Sequence, residues 1–197
     1  MKLGLISDIH CNFPALERAL ELLDDCDELI CAGDLMYQYR FSNAVLRLLR
    51  ERGVHSIVGN HDNTVLYTPT HPLRDSPSVD PDCLAYLAGL PDRLSLEFGA
   101  IRVAVIHGAP WDEPRSTSNF YLYPENRDGM ARLGNVDADV IVLGHTHRPF
   151  TVEVGSTLVV NPGSCGEPRG AISTYMCAAL DLESRAVELR PFTLPGE

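Results

Sequence analysis

The sequence predicts an α/β fold in a single domain spanning residues 1–197, and three observations support this prediction. A length of 197 residues suits one compact domain with its own apolar core. The first sixty residues alternate between short apolar runs and segments whose apolar residues recur at helical spacing. The later residues contain further short apolar runs separated by tight turns, which is typical of strands.

The first part of the chain is predicted to form a strand–helix–strand–helix–strand unit. Residues 3–7 form an apolar run typical of a buried strand, Asn12 is a suitable N-cap, and Pro14 fits the first turn of the helix that follows. Gly53 ends a second helix. The other strands of the unit are expected at residues 29–32 and 55–58. This order of elements is typical of a parallel sheet with helices packed on it.

The remainder of the chain is predicted to be richer in strands. A hairpin is expected over residues 93–98 and 101–106, with Gly99 at its turn, and a short helix is expected at 84–90. Other strands are expected at residues 140–143, 150–154, 157–160, 175–180 and 186–190. Irregular loops are expected at residues 67–82 and 109–128.

The composition disfavours several classes of function. A formal net charge of -11 argues against binding long nucleic acid through a basic surface, but leaves a small phosphate substrate open. No apolar run approaches the ~20 residues of a membrane-spanning helix, and the apolar start of the chain is too short for a signal peptide. We therefore expect a cytoplasmic protein without membrane attachment, of undetermined oligomeric state. None of the six cysteines forms a C-x-x-C pair, so reduced thiols are expected rather than a structural zinc site.

Five short polar motifs each follow a predicted strand. They are Asp8-Ile9-His10, Gly33-Asp34, Gly59-Asn60-His61-Asp62, His107-Gly108 and Gly144-His145-Thr146-His147. In an open α/β sheet, ligands bind beyond the carboxyl ends of the strands, so the motifs are expected to converge. Each motif alone is a weak signal, but together they contain five of the seven histidines.

The side chains of these motifs are suited to binding metal ions. Carboxylate, amide and imidazole donors are suited to manganese, iron, zinc or nickel, and such a set differs from a soft thiolate site. Asp8 and His10 are two residues apart and are expected on the same side of an extended segment, as are His145 and His147. Two cations about 3.5–4 Å apart need a shared ligand, and a carboxylate such as Asp34 can bridge them.

The ordered motif set resembles that of the calcineurin-like metallophosphoesterases, from Asp8 to at least Gly163. Residues 7–10, 145–149 and 161–164 are similar to the small bacterial phosphodiesterase branch in particular. The resemblance implies a sandwich of two mixed β-sheets flanked by helices. It also implies two divalent metal ions per chain, with Mn²⁺ favoured and Fe, Zn or Ni as alternatives.

The resemblance further implies a role for each motif residue. The first metal would be held by Asp8, His10 and His147. The second would be held by Asn60, His107 and His145. Asp34 would bridge the two metals, and His61 would act on the substrate. The implied function is a binuclear phosphodiesterase in which a metal-bound hydroxide attacks phosphorus in line.

Several alternatives stay open at this point. The alternative functions are a phosphomonoesterase, a nucleotide pyrophosphohydrolase and a non-catalytic scaffold of the same fold. Residues 35–40 do not match the D-R-G of protein serine/threonine phosphatases, which disfavours that activity, and Cys11 replaces the usual glycine or serine. Arg148 and Arg169 are candidates for binding a substrate phosphate, or are ordinary ion-pair residues. Asp62 either orients His61 or caps the following turn.

Overall fold

The computed structural model describes residues 1–170 and 173–196, which contain ten strands and five helices. In chain order the elements are β1 (Lys2–Ile6), α1 (Phe13–Leu22), β2 (Glu28–Cys31), α2 (Asn43–Glu51), β3 (His55–Ser56), α3 (Asn60–Tyr67), α4 (Pro81–Gly89), β4 (Arg93–Phe98), β5 (Ile101–Ile106), α5 (Arg127–Leu133), β6 (Val140–Leu143), β7 (Phe150–Val154), β8 (Thr157–Asn161), β9 (Tyr175–Asp181) and β10 (Val187–Phe192).

The strands form two sheets of five, ordered β10-β9-β1-β2-β3 and β4-β5-β6-β8-β7. Both sheets are mixed. In the first, β1 is parallel to β2 and antiparallel to β9. In the second, β5 is parallel to β6 and antiparallel to β4. The expected pair of mixed sheets is therefore confirmed.

The apolar core has layers that follow from the alternation of side chains along each strand. In β1, Leu5 belongs to the cluster between the two sheets, whereas its neighbour Ile6 packs with α1, α2 and α4 on the other side. In the second sheet, Val142 belongs to the same central cluster, whereas Ile141 packs with α5. The order of layers is helix, sheet, sheet, helix. The carboxyl ends of β1 and β6 lie close together, as shown by the hydrogen bond from the backbone N–H of His145 to Oδ2 of Asp8 at 3.1 Å.

The predicted start of the first helix is confirmed. The side chain of Asn12 accepts a hydrogen bond from the backbone N–H of Ala15 at 3.2 Å, and Pro14 lies in the first turn of α1. Ser42 caps α2 in the same way through the N–H of Val45. The predicted hairpin is confirmed with the predicted bounds as β4 and β5.

Two helices lie mainly where no element was predicted. Helix α3 begins inside the Gly59-Asn60-His61-Asp62 motif, and α5 begins in the last two residues of the second predicted loop and continues to Leu133. The N-cap of α3 is Gly59, which has no side chain to signal a helix start, and Gly129 lowers the helix propensity of α5. Among the described residues, no helix is long and apolar enough to cross a membrane.

Candidate metal centre

The five motifs converge at one place, as their positions after the strands predict. Asp8 follows β1, Asp34 follows β2 and Asn60 begins α3 directly after β3. His107 follows β5 and His145 follows β6, so the second sheet contributes from the opposite side. Their side chains, with those of His10 and His147, are buried, with 9% or less of each residue exposed.

Three overlapping groups of Asp and His side chains could hold a metal ion, and the group of His10, Asp34 and His61 shares a residue with each of the other two. The first of these other two clusters consists of Asp8, His10 and His147. Their potential ligand atoms all lie within 4.8 Å of one another. The Nε2 atoms of His10 and His147 are 3.0 Å apart, and Nε2 of His147 lies 3.4 Å from Oδ1 of Asp8. These distances leave the three side chains aimed at a common point.

The second cluster consists of Asp34, His107 and His145, whose potential ligand atoms also lie within 4.8 Å of one another. Nε2 of His107 is 3.3 Å from Oδ2 of Asp34 and 3.2 Å from the side-chain oxygen of Asn60. The side-chain oxygen of Asn60 therefore joins this cluster.

Asp34 lies between the two clusters. Its Oδ2 atom is 3.3 Å from Nε2 of His107 and 3.8 Å from Nε2 of His10, which belong to different clusters. Its Oδ1 atom accepts a hydrogen bond from the backbone N–H of His61 at 2.9 Å, which fixes the carboxylate. This is the position that a bridging carboxylate requires.

Backbone carbonyl groups determine which nitrogen of each histidine is free. Each ring donates from one nitrogen to a carbonyl oxygen: Nδ1 of His10 to Met36 (3.3 Å), Nδ1 of His107 to Ala32 (2.7 Å), Nδ1 of His147 to Glu167 (2.5 Å) and Nε2 of His145 to Asn119 (3.1 Å). Because a carbonyl oxygen can only accept, the other nitrogen of each neutral ring presents a lone pair. Such outer hydrogen bonds are typical of metal-ligating histidines.

This arrangement fits bound cations. Lone pairs on His10 and His147 face each other beside the carboxylate of Asp8, and those of His107 and Asn60 face Asp34. Acceptors at these distances repel one another unless a proton or a cation lies between them. The donor set of two carboxylates, four imidazoles and one amide oxygen suits divalent transition metals.

The pKa shifts agree with this interpretation. Burial lowers the pKa of His10 to about 3 and that of His145 to about 4, so both rings are neutral and able to bind metal at neutral pH. Burial also lowers the pKa of His107, but the charge of Asp34 and the hydrogen bond with it outweigh this and raise the pKa to about 10. A cation at that position would replace the proton that His107 and Asp34 share.

The ligand-bearing turns have left-handed backbone conformations. The φ angles are 53° at Asp8, 48° at His10, 54° at Asp34, 68° at His145 and 56° at His147. The expectation that the two pairs lie on extended segments is therefore wrong. Side chains two residues apart converge here because the backbone turns sharply, a conformation that is costly for non-glycine residues and concentrates at functional sites.

Two glycines allow the chain segments to approach closely. A Cβ atom at Gly59 would lie 2.2 Å from Oδ1 of Asp34, and one at Gly144 would lie 2.1 Å from Oγ of Ser7. Neither position can hold a side chain without moving a neighbour. Close contact between chain segments at the strand ends therefore explains Gly59 and Gly144.

A model of the calcineurin-like phosphoesterase superfamily domain matches residues 1–185. The chain belongs to this superfamily. An uncharacterized protein of Methanocaldococcus jannaschii is 26% identical over 95% of this chain and 85% of its own length. Phosphodiesterase YfcE of Escherichia coli is 27% identical over 86% of this chain and 82% of its own length. A phosphodiesterase of M. jannaschii is 24% identical over 84% of each chain.

Solved structures agree with this assignment at the level of the fold. A metallophosphoesterase from Sphaerobacter thermophilus has a TM-score of 0.76 at 24% identity, covering 98% of this chain and 89% of its own. A hypothetical protein from Pyrococcus horikoshii has a TM-score of 0.81 at 17% identity, covering 99% and 89%. The chain thus has the calcineurin-like fold and a buried Asp/His cluster suited to two metals.

In this calcineurin-like domain, Asp62 acts as a cap. Its carboxylate accepts hydrogen bonds from the backbone N–H groups of Gly59 (2.8 Å), Leu35 (3.1 Å) and Met36 (2.7 Å). Burial and the charge of Asp34 raise the pKa of Asp62 to about 7, although these three N–H groups favour the charged form. Of the two roles left open by the sequence, the structure supports capping of α3 together with anchoring of the loop after β2.

His61 differs from the other motif histidines of this calcineurin-like centre. Its side chain is 15% exposed, and its Nε2 atom lies 4.0 Å from Oδ2 of Asp34. Among residues 1–170 and 173–196, Nδ1 of His61 is buried and has no hydrogen-bond partner. The ring of Tyr37 stacks on it, with centroids 4.9 Å apart.

The two candidate arginines form exposed ion pairs. The guanidinium of Arg148 makes two hydrogen bonds to Glu125, at 3.1 and 2.6 Å. Arg169 donates to Glu167 at 2.9 Å, and its charge lowers the pKa of His61, for which burial is the larger cause. Arg169 is therefore the closer of the two to the centre in electrostatic terms.

Several supporting residues of the calcineurin-like site were not found from the sequence. The Oγ of Ser164 donates to the backbone oxygen of Asp8 at 2.8 Å, and Nδ2 of Asn161 donates to that of Gly144 at 2.8 Å. The ring of Tyr121 stacks on His145 at 4.0 Å. Ser164 and Asn161 lie in the resembling segment 161–164, which was the available signal for them.

Proposed function

We propose that this protein is a binuclear metal-dependent phosphodiesterase. The observation that carries the proposal is the pair of adjoining buried clusters with Asp34 between them. In this proposal, Asp8, His10 and His147 bind the first cation, Asn60, His107 and His145 bind the second, and Asp34 binds both. Two divalent cations would generate a nucleophile from water at neutral pH and offset the charge of the phosphate.

The residues of the chain would then have distinct tasks. The carbonyl groups that accept from the ligand histidines keep the unprotonated nitrogens aimed inward, so the site is organised before metal or substrate enters. His61, near Asp34 but free of a carbonyl partner, would donate a proton to the leaving oxygen or hydrogen-bond to the phosphate. Arg169 would release Glu167 to bind a substrate oxygen.

Preference for a diester is supported by two relatives named phosphodiesterase and by the missing D-R-G at residues 35–40. A phosphomonoesterase and a nucleotide pyrophosphohydrolase use the same centre and differ only in substrate. A non-catalytic scaffold would not require this ligand set.

The test compares metal-free protein with protein loaded with manganese. We expect activity only in the loaded form, with about two ions per chain. With loaded protein, an activated aryl phosphodiester should be hydrolysed faster than the matching aryl monoester. Full activity without metal would overturn the mechanism, and a strong preference for the monoester would overturn the substrate assignment. Stoichiometric metal without any phosphoesterase activity would favour the scaffold.

A further inference from the structure

The loop after β2 places an aromatic ring against the candidate acid. Tyr37 lies three residues after Asp34, and its ring stacks on that of His61, with centroids 4.9 Å apart and planes 19° apart. The same ring contacts His10 edge-on at 5.5 Å. Tyr37 therefore touches both a candidate metal ligand and the one motif histidine outside the ligand set.

No hydrogen bond orients the imidazole of His61 among the described residues, and its Nε2 atom lies 4.0 Å from Oδ2 of Asp34, beyond hydrogen-bond distance. Its Nδ1 atom is buried without a hydrogen-bond partner in the described ranges 1–170 and 173–196. The neighbouring carboxylate of Asp62 is already bonded to three backbone N–H groups. General acids commonly have their ring orientation set by a hydrogen bond from a further group. In this protein, contacts with neighbouring rings therefore set the orientation of the His61 ring.

Tyr37 is itself held rigidly. Its backbone N–H donates to the carbonyl oxygen of Arg40 at 3.3 Å, and the N–H of Arg40 donates back at 3.0 Å, which closes a tight turn. The guanidinium of Arg40 lies 4.7 Å from the centre of the Tyr37 ring, within the range of a cation–π contact. The preceding residue, Met36, is bound to Asp62 through its N–H at 2.7 Å.

We propose that Tyr37 is a positioning residue that holds the ring of His61 in its working orientation by stacking. His10 supports the same ring from the side, edge-on at 5.0 Å and 89°. The inference rests on the proposed role of His61 toward the leaving group. Tyr37 moves no proton itself, so what matters is its ring and not its hydroxyl.

The test uses diesters whose leaving groups range from good to poor. For Tyr37→Leu, kcat should fall about tenfold for poor leaving groups, the scale of one aromatic pair, and much less for good ones. Tyr37→Phe keeps the ring and should behave like the parent. KM and metal content should be unchanged in both, and a high-resolution structure of metal-loaded Tyr37→Leu should show the His61 ring in more than one orientation.

A matched control and a double variant make the result specific. Tyr39 stacks on His71 outside the site and is 66% exposed. Tyr39→Leu should therefore leave kcat, KM and metal content unchanged. Adding Tyr37→Leu to His61→Ala should cause no further loss, because the ring that it positions is gone. If Tyr37→Leu does not fold, Tyr37→Met replaces it.

Two results would overturn the inference: a loss in Tyr37→Phe equal to that in Tyr37→Leu, or losses that add in the double variant. If His61→Ala alone shows no dependence on the leaving group, the proposed role of His61 fails instead. Because the role of His61 is tested in His61→Ala and the role of Tyr37 in the Tyr37 variants, failure of one role can be distinguished from failure of the other.

Discussion

The Nε2 atoms of His10 and His147 lie 3.0 Å apart although both rings use Nδ1 to donate to a backbone carbonyl oxygen. Neither neutral ring then has a proton to place between the two nitrogens. Oδ1 of Asp8 lies 3.4 Å from His147 and adds negative charge at the same point. The folded chain thus holds these groups in an arrangement that a cation stabilises.

Metal binding should therefore stabilise the fold as well as support activity. A cation that binds only the native state adds about 2.7 kcal/mol when its free concentration is about 100 times its Kd. We expect the midpoint of thermal unfolding to rise when metal-free protein is titrated with Mn²⁺ and to return on chelation. Calorimetry measures this directly. An unchanged midpoint across the titration would contradict the arrangement of lone pairs described above.

Asp34 and His147 should differ in how many sites they affect. Because Oδ2 of Asp34 faces both clusters, Asp34→Asn should weaken binding of both cations. His147→Ala should weaken mainly the first, since its ligand atom belongs to the cluster with Asp8. Metal analysis and calorimetric titration of the two variants give the stoichiometry. If Asp34→Asn retains the metal content of the parent, Asp34 does not bridge.

Gly59 should be intolerant of even a methyl group. Its added Cβ would lie 2.2 Å from Oδ1 of Asp34 and 2.5 Å from the Asp34 backbone nitrogen, so the carboxylate of Asp34 must move. Gly59→Ala should cost about 1–3 kcal/mol of stability, the range for overpacking, and weaken metal binding.

The matched control is Gly89→Ala at the end of α4. A Cβ there would meet no atom within 4 Å, so stability should be unchanged or slightly higher. If both alanine variants weaken metal binding equally, the close approach of residue 59 to Asp34 is not what requires glycine at position 59.

Much of the fold was predictable because its strands are short apolar runs that end in polar motifs. The strand bounds of β4 and β5 matched, and the motifs of Asp8 and Asp34 lie side by side because each follows the carboxyl end of a parallel strand in the same sheet. The pairing of the two sheets required the family resemblance. The apolar pattern of β1 alone does not indicate which of its alternating side chains faces the other sheet.

Some contacts of the site involve backbone groups, which no residue type in the sequence reveals. Met36 and Ala32 hold ligand histidines through backbone oxygens, which every residue possesses. The start of α3 was missed because its cap is the carboxylate of Asp62, which bonds to the N–H of Gly59 from within the helix. The left-handed turns at Asp8 and His10 could not be anticipated either, because Asp and His adopt positive φ angles more often than most residues but still at a small minority of positions.

Asp62 should matter for stability more than for chemistry. Asp62→Ala would leave the buried N–H groups of Gly59, Leu35 and Met36 without an acceptor. Each lost acceptor costs about 1–3 kcal/mol, so a loss of about 3 kcal/mol or more is expected. Urea unfolding of metal-loaded protein measures it, with the exposed Asp75→Ala as control. A stable Asp62→Ala variant with only kcat reduced would instead favour a role in orienting His61.

His61 should be separable from the metal ligands. Its backbone N–H, and not its ring, contacts Asp34 at 2.9 Å, and its Nε2 atom is 4.0 Å from that carboxylate. His61→Ala should therefore fold normally and keep both metals. Its kcat should fall by roughly 10²–10⁴, the scale for removing a general acid. Metal analysis and steady-state kinetics on the same preparation test both statements.

The leaving group decides between two roles for His61. If its imidazole protonates the departing oxygen, the loss in His61→Ala should shrink for diesters with good leaving groups, which depart without a proton. If the ring only binds the phosphate, the loss should be equal across the series. A variant that loses one metal ion would instead make His61 a ligand, since its Nε2 atom lies 4.0 Å from Oδ2 of Asp34. His107→Ala serves as the comparison, because it should lose metal and activity together for every substrate.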